Sequence, residues 1–186
     1  MSDDIDLLSG ALREAEAAVL AVEPAQRALP TASPGVDVGA LVDHLVGWAR
    51  SFAARLTGST DDDVDPASYR AGDQPAGELH EAARSIVAAY RSGGPAAAQL
   101  PIGMLIGEFT VHGWELSRAI GREPAVDPAA AEAALATLHG MLKPEYRGEG
   151  KAFGAEVPVD ASASALDRLV GFSGRAPGWR PPAPAA

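Results

Sequence analysis

The stretch PIGMLIGEFTVHGWELSRAIG, residues 101–121, decides the fold and carries the most informative pair of polar residues in the chain. Its large apolar residues recur mostly at three- and four-residue spacing, which predicts a helix with one buried face. Pro101 suits the start of this helix, and Gly121 suits the left-handed position just after its end. Glu108 and His112 lie four residues apart, so their side chains project from the same side of the helix.

Glu108 and His112 could together bind one metal ion, and His44 is the best candidate for a third ligand. On an ideal helix with roughly 100° per residue, all three flank the apolar stripe of their own helix, which predicts a half-buried cleft where the two helices meet. Two imidazoles and one carboxylate leave coordination positions open, as catalytic metal sites do. Zinc is the first choice of ion, and nickel, manganese and iron(II) accept the same ligands.

The remaining sequence predicts further helices separated by proline and glycine. Apolar periodicity and end signals place them at residues 4–22, 38–58, 75–93, 128–142 and 162–172. Asp37 and Asp127 are suited to cap two of these helices, and residues 59–72 form a polar loop. Residues 153–159 could be extended, and the Pro/Ala tail at residues 181–186 should be disordered. We therefore predict an all-α fold: one domain over residues 1–180, built as an up-down four-helix bundle with added C-terminal helices and a short extended segment.

Composition limits the classes of partner. Fifteen basic and twenty-five acidic residues give a net charge of −10, which disfavours nucleic acid and anionic lipid. The chain has no cysteine, so any thiol chemistry needs a thiol from outside. The N-terminus is acidic where a signal peptide would be basic, and no apolar run approaches the roughly 20 residues that cross a bilayer. We expect a soluble cytoplasmic protein, and its apolar helix faces allow a homodimer.

Three segments resemble the DinB-like superfamily: residues 107–121, VDVGALVDHLV at residues 36–46, and LDRLVGFSGRAPGW at residues 166–179. The chain looks most like the actinobacterial branch related to mycothiol-dependent maleylpyruvate isomerase, over residues 29–179. The resemblance implies a DinB-like four-helix bundle that holds a divalent metal, often zinc, through His44, Glu108 and His112. Many relatives carry Pro-Cys before the second helix, where this chain has Ser33-Pro34. Maleylpyruvate isomerase also has a separate C-terminal domain, for which this chain has no counterpart.

The resemblance implies mycothiol as the small-molecule thiol. A thiol coordinated by a metal ion becomes more acidic and can attack an electrophilic substrate. We therefore predict a thiol S-transferase or a thiol-dependent isomerase whose only strong catalyst is the metal. Two alternatives stay open: a metal-supported ligand-binding or stress-related interaction module without turnover, and a purely structural bundle whose ligand set binds nothing in the cell.

Several other polar and aromatic residues have both a functional and an ordinary structural interpretation. Arg55 and Trp48 are candidates for substrate binding at the cleft margin, although a surface arginine and a packing tryptophan are the simpler interpretations. Trp114 is interpreted in the same way as Trp48. The acidic residues between 61 and 65 lack the spacing of a calcium loop and predict a solvated loop. His80 and His139 are predicted to lie on the solvent side of their helices. Arg175 and Trp179 are predicted to fasten the last segment to the bundle.

Overall fold

The computed structural model describes residues 2–60, 64–148, 151 and 153–182, and these residues form helices and loops without any strand. The seven α-helices are α1 Ser2–Leu20, α2 Val38–Thr57, α3 Pro75–Ser92, α4 Pro95–Gln99, α5 Ile102–Ala119, α6 Pro128–Met141 and α7 Ala165–Phe172. Two 3₁₀ turns lie at Pro24–Gln26 and Pro144–Tyr146. The predicted all-α fold is confirmed. Residues 183–186 of the predicted disordered tail and residues 61–63 of the predicted acidic loop lie outside the described residues.

The predicted helix ends agree with the capping geometry. The Asp37 side chain accepts a hydrogen bond from the Ala40 N–H at the start of α2, and Asp127 accepts one from Ala129 at the start of α6. Gly58 and Gly121 follow α2 and α5 with φ values of 72° and 77°, a region that favours glycine. The short helix α4 was not predicted, because five residues are too few to show a periodic pattern.

Four helices, α1, α2, α3 and α5, form a closed bundle in which α1 packs on α5 and α3, and α2 packs on α3 and α5. His80 near the start of α3 meets Glu16 near the end of α1, so these two helices are antiparallel. Ala15 lies opposite Gly113, and the Ala17 carbonyl accepts a hydrogen bond from Arg122, so α1 and α5 run in the same direction. The helix α6 covers the outer side of α5, and α7 packs on α6.

The loop between α2 and α3 returns along α2, which lets the two helices run parallel. Asp43 near the start of α2 accepts a hydrogen bond from the Ala71 N–H, four residues before α3 begins. About two helical turns further along α2, Arg50 meets Glu78, which lies in the first turn of α3. The bundle therefore has two helices in each direction, but its helices do not alternate strictly up and down as predicted, because the long α2–α3 connection lets two consecutive helices run parallel.

The helix α5 is the central helix of the fold, because α1, α2 and α6 all pack against it. Gly107 faces Ala134 and Leu138 of α6, and Gly113 faces Ala15 of α1. A Cβ at either of them would make ordinary contacts of 3.4–3.6 Å, whereas one at Gly103 would lie 2.8 Å from Cβ of Thr137, so Gly103 is the glycine that lets α6 approach α5 closely. The third covered side faces α2 and carries the polar residues described below.

The C-terminal segment, defined here as residues 153–182, folds back on the bundle. The Val157 N–H donates a hydrogen bond to the Gly171 carbonyl, and the only bridge in residues 153–159 joins Phe153 to Arg147. The Arg168 side chain pairs with Glu132 and ties α7 to α6. Among the described residues, no helix is both long enough and apolar enough to cross a membrane.

Replacing Gly47 by alanine should destabilise the bundle. A Cβ at this position would lie 2.8 Å from Cβ of Tyr69 and 3.2 Å from Cα of Pro66, so the returning α2–α3 loop would have to move. We expect the free energy of unfolding to fall by about 1–3 kcal/mol in urea titrations. Gly140→Ala is the matched control, because an added Cβ meets no atom within 4 Å in the last turn of α6. It should be neutral or stabilising by up to about 1 kcal/mol. Equal losses in both variants would contradict the packing described here.

Candidate metal centre

The structure brings the three sequence-predicted ligands together where α2 crosses α5. His44 lies in the second turn of α2, and Glu108 and His112 lie one turn apart in the middle of α5. One ligand atom from each residue can be chosen so that all three lie within 4.8 Å of one another. The carboxylate stands between the two rings: Oε1 of Glu108 is 2.9 Å from Nε2 of His44 and 3.6 Å from Nε2 of His112.

The predicted position at the margin of the core is also observed. The side chains of His44, Glu108 and His112 are 36%, 21% and 13% exposed, so the cluster opens to solvent on the His44 side. The two imidazole rings meet edge to face with centroids 4.6 Å apart. A half-buried group with one open side can be reached by a small molecule while the protein holds the other side.

The donor set fits a divalent transition metal. Two imidazole nitrogens and a carboxylate oxygen suit zinc and its neighbours, whose bonds to such atoms are about 2.0–2.2 Å long. Ligand atoms around an ion of that size lie roughly 3.3 Å apart, close to the separations of Glu108 from the two histidines. Three protein ligands are the number that catalytic zinc sites use. His44, Glu108 and His112 could therefore hold a metal ion.

Electrostatics keep Glu108 ionised. Burial by itself raises the pKa of this carboxyl, but the charge of His112, the hydrogen bond and charge of His44, and the charge of Arg175 together lower the pKa to about 2. Metal ligands must be deprotonated to bind. Glu108 therefore meets this condition at every pH at which the protein would ordinarily be studied.

A second carboxylate, Glu115, supports His112 from behind. Its side chain is 0% exposed, and its Oε2 lies 3.2 Å from Nδ1 of His112. An ionised carboxylate only accepts hydrogen bonds, so this contact suits a His112 with its proton on Nδ1, which leaves Nε2 available to a metal ion. Burial raises the pKa of Glu115, but the hydrogen bond and charge of His112, the charge of Arg175 and a hydrogen bond with Ser33 lower it to about 2.

Arg175 reaches this carboxylate from the C-terminal segment. Its Nε lies 3.5 Å from Oε2 of Glu115, and its side chain is only 11% exposed. One terminal nitrogen donates to Oγ of Ser33 at 3.2 Å, and the other donates to the Ser173 carbonyl at 2.9 Å. The sequence predicted that Arg175 fastens the last segment to the bundle, and these contacts fasten it next to the metal ligands.

Sequence reasoning missed Glu115 and Ser33 as members of the site. Glu115 follows His112 by three residues, so the two side chains share a helix face. That spacing was the available signal, but spacing alone does not show that Glu115 is buried behind His112. Ser33 could not be found in this way, since it contacts Arg175 across 142 positions of sequence.

Trp48 lies beside the ligands, as the sequence suggested, and Trp114 lies in the core. The Trp48 ring meets the His44 ring edge-on at 6.2 Å and continues to Phe52 at 5.1 Å. Trp48 therefore borders the ligand cluster, while Phe52 belongs to the buried core. Trp114 is 1% exposed and has a packing role. Arg55 is exposed in the last turn of α2, about 16 Å along the helix axis from His44, so its role in substrate binding stays a prediction.

The other two histidines are exposed at the surface, as predicted. His80 pairs with Glu16, with Nδ1 3.1 Å from the carboxylate, and its side chain is half exposed. His139 is exposed and stacks on the ring of Phe172 at 4.1 Å. Neither belongs to the ligand cluster within the described residues.

Comparison with known proteins identifies relatives without assigning a function. The chain is 28% identical over 169 residues to uncharacterized protein MT0763 and to uncharacterized protein Rv0738, from two strains of Mycobacterium tuberculosis. The alignment covers 88% of this chain and 93% of each relative. No protein-family model matches the chain, and no solved structure is similar to it at the significance applied.

Purified wild-type protein without an affinity tag should contain close to one divalent ion per chain, measured by elemental analysis. His44→Ala and His112→Ala should each lose most of it, because removal of one of three ligands leaves too few to hold the ion. His80→Ala is the control and should keep the wild-type content, since His80 pairs with Glu16 on the surface between α1 and α3. No metal above background in wild type, even after reconstitution, would contradict the site.

Acid should remove the stability that Glu115 contributes. Its pKa is about 2 in the folded protein against an ordinary 4.5, so the contribution is complete above pH 4.5 and is lost as the pH falls toward 2. We expect Glu115→Gln to lower the free energy of unfolding of the metal-free protein by about 1–3 kcal/mol at pH 7. The gap should narrow below pH 4.5 in urea titrations. Glu123→Gln, at an exposed partner of Arg118, should show no such dependence.

Proposed function

We propose that this chain is a DinB-like metal-dependent enzyme that uses a low-molecular-weight thiol from outside as an S-transferase or thiol-dependent isomerase. The single observation that carries the proposal is the cluster of His44, Glu108 and His112, which offers three ligand atoms and opens to solvent on one side. A structural metal site is usually closed by four protein ligands. A three-ligand cluster with one side open to solvent instead leaves a coordination position for a reacting molecule.

A bound divalent ion would supply Lewis acidity, which lowers the pKa of a coordinated thiol. The protein itself provides the placement of the groups. Glu108 brings a fixed negative charge between the two imidazoles, and Glu115 holds His112 by its Nδ1. Trp48 borders the open side with an apolar surface, on which the carbon skeleton of an electrophile could pack.

The thiol has to come from outside, because the chain contains no cysteine. We propose mycothiol, which the resemblance to the maleylpyruvate isomerase branch implies. The mycobacterial source of both similar proteins supports this choice. At the position before α2 where many relatives of that branch carry Pro-Cys, this chain has Ser33-Pro34, and the Ser33 hydroxyl accepts a hydrogen bond from Arg175.

Both reaction classes share one bond-forming step. The thiol loses its proton to water, and its sulfur forms a bond to an electrophilic carbon of the substrate. In an S-transferase the electron pair of the broken bond leaves with the displaced group. In an isomerase the substrate has a carbon–carbon double bond, and its π electron pair moves onto the carbon next to the one that sulfur attacks. After rotation about the resulting single bond, this electron pair re-forms the double bond and the thiolate leaves.

A cobalt-substituted sample tests the proposal directly. Adding mycothiol should change the visible absorption bands of the cobalt protein, because an open coordination position can accept a sulfur ligand. The zinc protein should then accelerate mycothiol consumption by an electrophile, and His112→Ala should abolish both effects while His80→Ala keeps them. Full activity in a metal-free variant would overturn the enzyme proposal. A metal-loaded protein whose spectrum no thiol changes would favour the alternative, a metal-supported binding module without turnover.

A further inference from the structure

The support behind His112 extends beyond α5 into the C-terminal segment. Nδ1 of His112 meets Oε2 of Glu115 at 3.2 Å, and the same oxygen lies 3.5 Å from Nε of Arg175. Arg175 is fixed in turn by Ser33, in the loop before α2, and by the carbonyl of Ser173. Three parts of the chain, α5, the loop before α2 and the C-terminal segment, therefore meet around Glu115, with His112 and Arg175 both at the same carboxylate oxygen.

Burial of Glu115 carries a desolvation penalty that its partners have to offset. A fully buried carboxylate loses its hydration, and Oε1 of Glu115 has no hydrogen-bond partner among the described residues. An apolar residue would fill the same position in α5 without that penalty. The contacts that Glu115 does make are with a metal ligand on one side and a charged guanidinium on the other, so they indicate a role at the cluster.

We propose that Glu115 is a positioning residue that holds His112 with Nε2 free to bind metal, and that Arg175 positions Glu115. The inference rests on the proposed metal site and deepens it. A carboxylate on the far nitrogen of a ligating histidine fixes the tautomer and the ring orientation, and removing such a partner weakens metal binding by about 10- to 100-fold. The C-terminal segment, through Arg175, is accordingly part of the metal centre.

The main test measures zinc affinity by competition with a chromophoric chelator. Glu115→Gln keeps the shape of the side chain and should weaken zinc binding by about 10- to 100-fold. Arg175→Met should weaken it less, because Glu115 keeps its contact with His112. Arg168→Met is the matched control: it breaks the pair with Glu132 that ties α7 to α6, away from the cluster, and should leave affinity unchanged. Wild-type affinity in Glu115→Gln would overturn the proposal.

Glu115→Gln leaves the buried Arg175 without its carboxylate partner, which could prevent folding, so a second variant is needed. Glu115→Met/Arg175→Met removes both charges together, which buried ion pairs often tolerate. Its metal-free fold is checked by thermal unfolding and by its amide NMR spectrum. This variant should bind zinc at least as weakly as Glu115→Gln does. Zinc binding as tight as that of wild type would overturn the role of Glu115.

The tautomer of His112 can also be measured directly. It would not change in the variants if Glu115 had only a structural role. Long-range ¹H–¹⁵N NMR of the metal-free protein, with His112→Gln to assign the signal, should show the proton on Nδ1 in wild type. The preference should be lost in Glu115→Met/Arg175→Met, and an unchanged tautomer would overturn the proposal. This measurement needs no metal. If wild type bound no zinc, the proposed function would fail, while the tautomer would still decide whether Glu115 positions His112.

Discussion

Burial of α5 on three sides is the constraint on which the rest of the structure depends. Because α1, α2 and α6 all pack on this helix, any polar side chain along it loses water and needs partners within the protein. Glu108, His112 and Glu115 satisfy that requirement with one another, with His44 and with Arg175. The same burial that makes these groups expensive makes them rigid, and a rigid group of donors is what a metal site requires.

The bundle topology explains how the ligands meet. A parallel α2–α3 pair needs a long connection, and the connection observed here packs its Tyr69 against Gly47 and brings Ala71 to Asp43. These contacts hold the first half of α2 in place, including His44, which follows Asp43 directly. The loop before α2 is fixed as well, since Ser33 meets Arg175. Long connections that could have been mobile therefore support the side of the bundle that carries the cluster.

The site combines two ionised carboxylates with an aromatic neighbour. Glu108 and Glu115 both have pKa values of about 2, so the cluster keeps two negative charges near neutral pH, and Arg175 lies beside them. A divalent cation balances such a group well. Trp48, next to His44, gives the cluster an apolar neighbour. A cation and an apolar surface together suit an anionic or sulfur ligand with a carbon skeleton.

The sequence by itself determined the helices, their caps and the three ligand candidates, because these depend on local periodicity and on the fixed spacing of Glu108 and His112 along one helix. Helix wheels even predicted that the ligands would lie at the margin of the core. Only the tertiary structure decided the helix directions, the fully buried position of Glu115 and the place of Arg175. Local spacing cannot show which helix face a distant segment will cover, and Arg175 reaches Ser33 and Glu115 only after the C-terminal segment has folded back on the bundle.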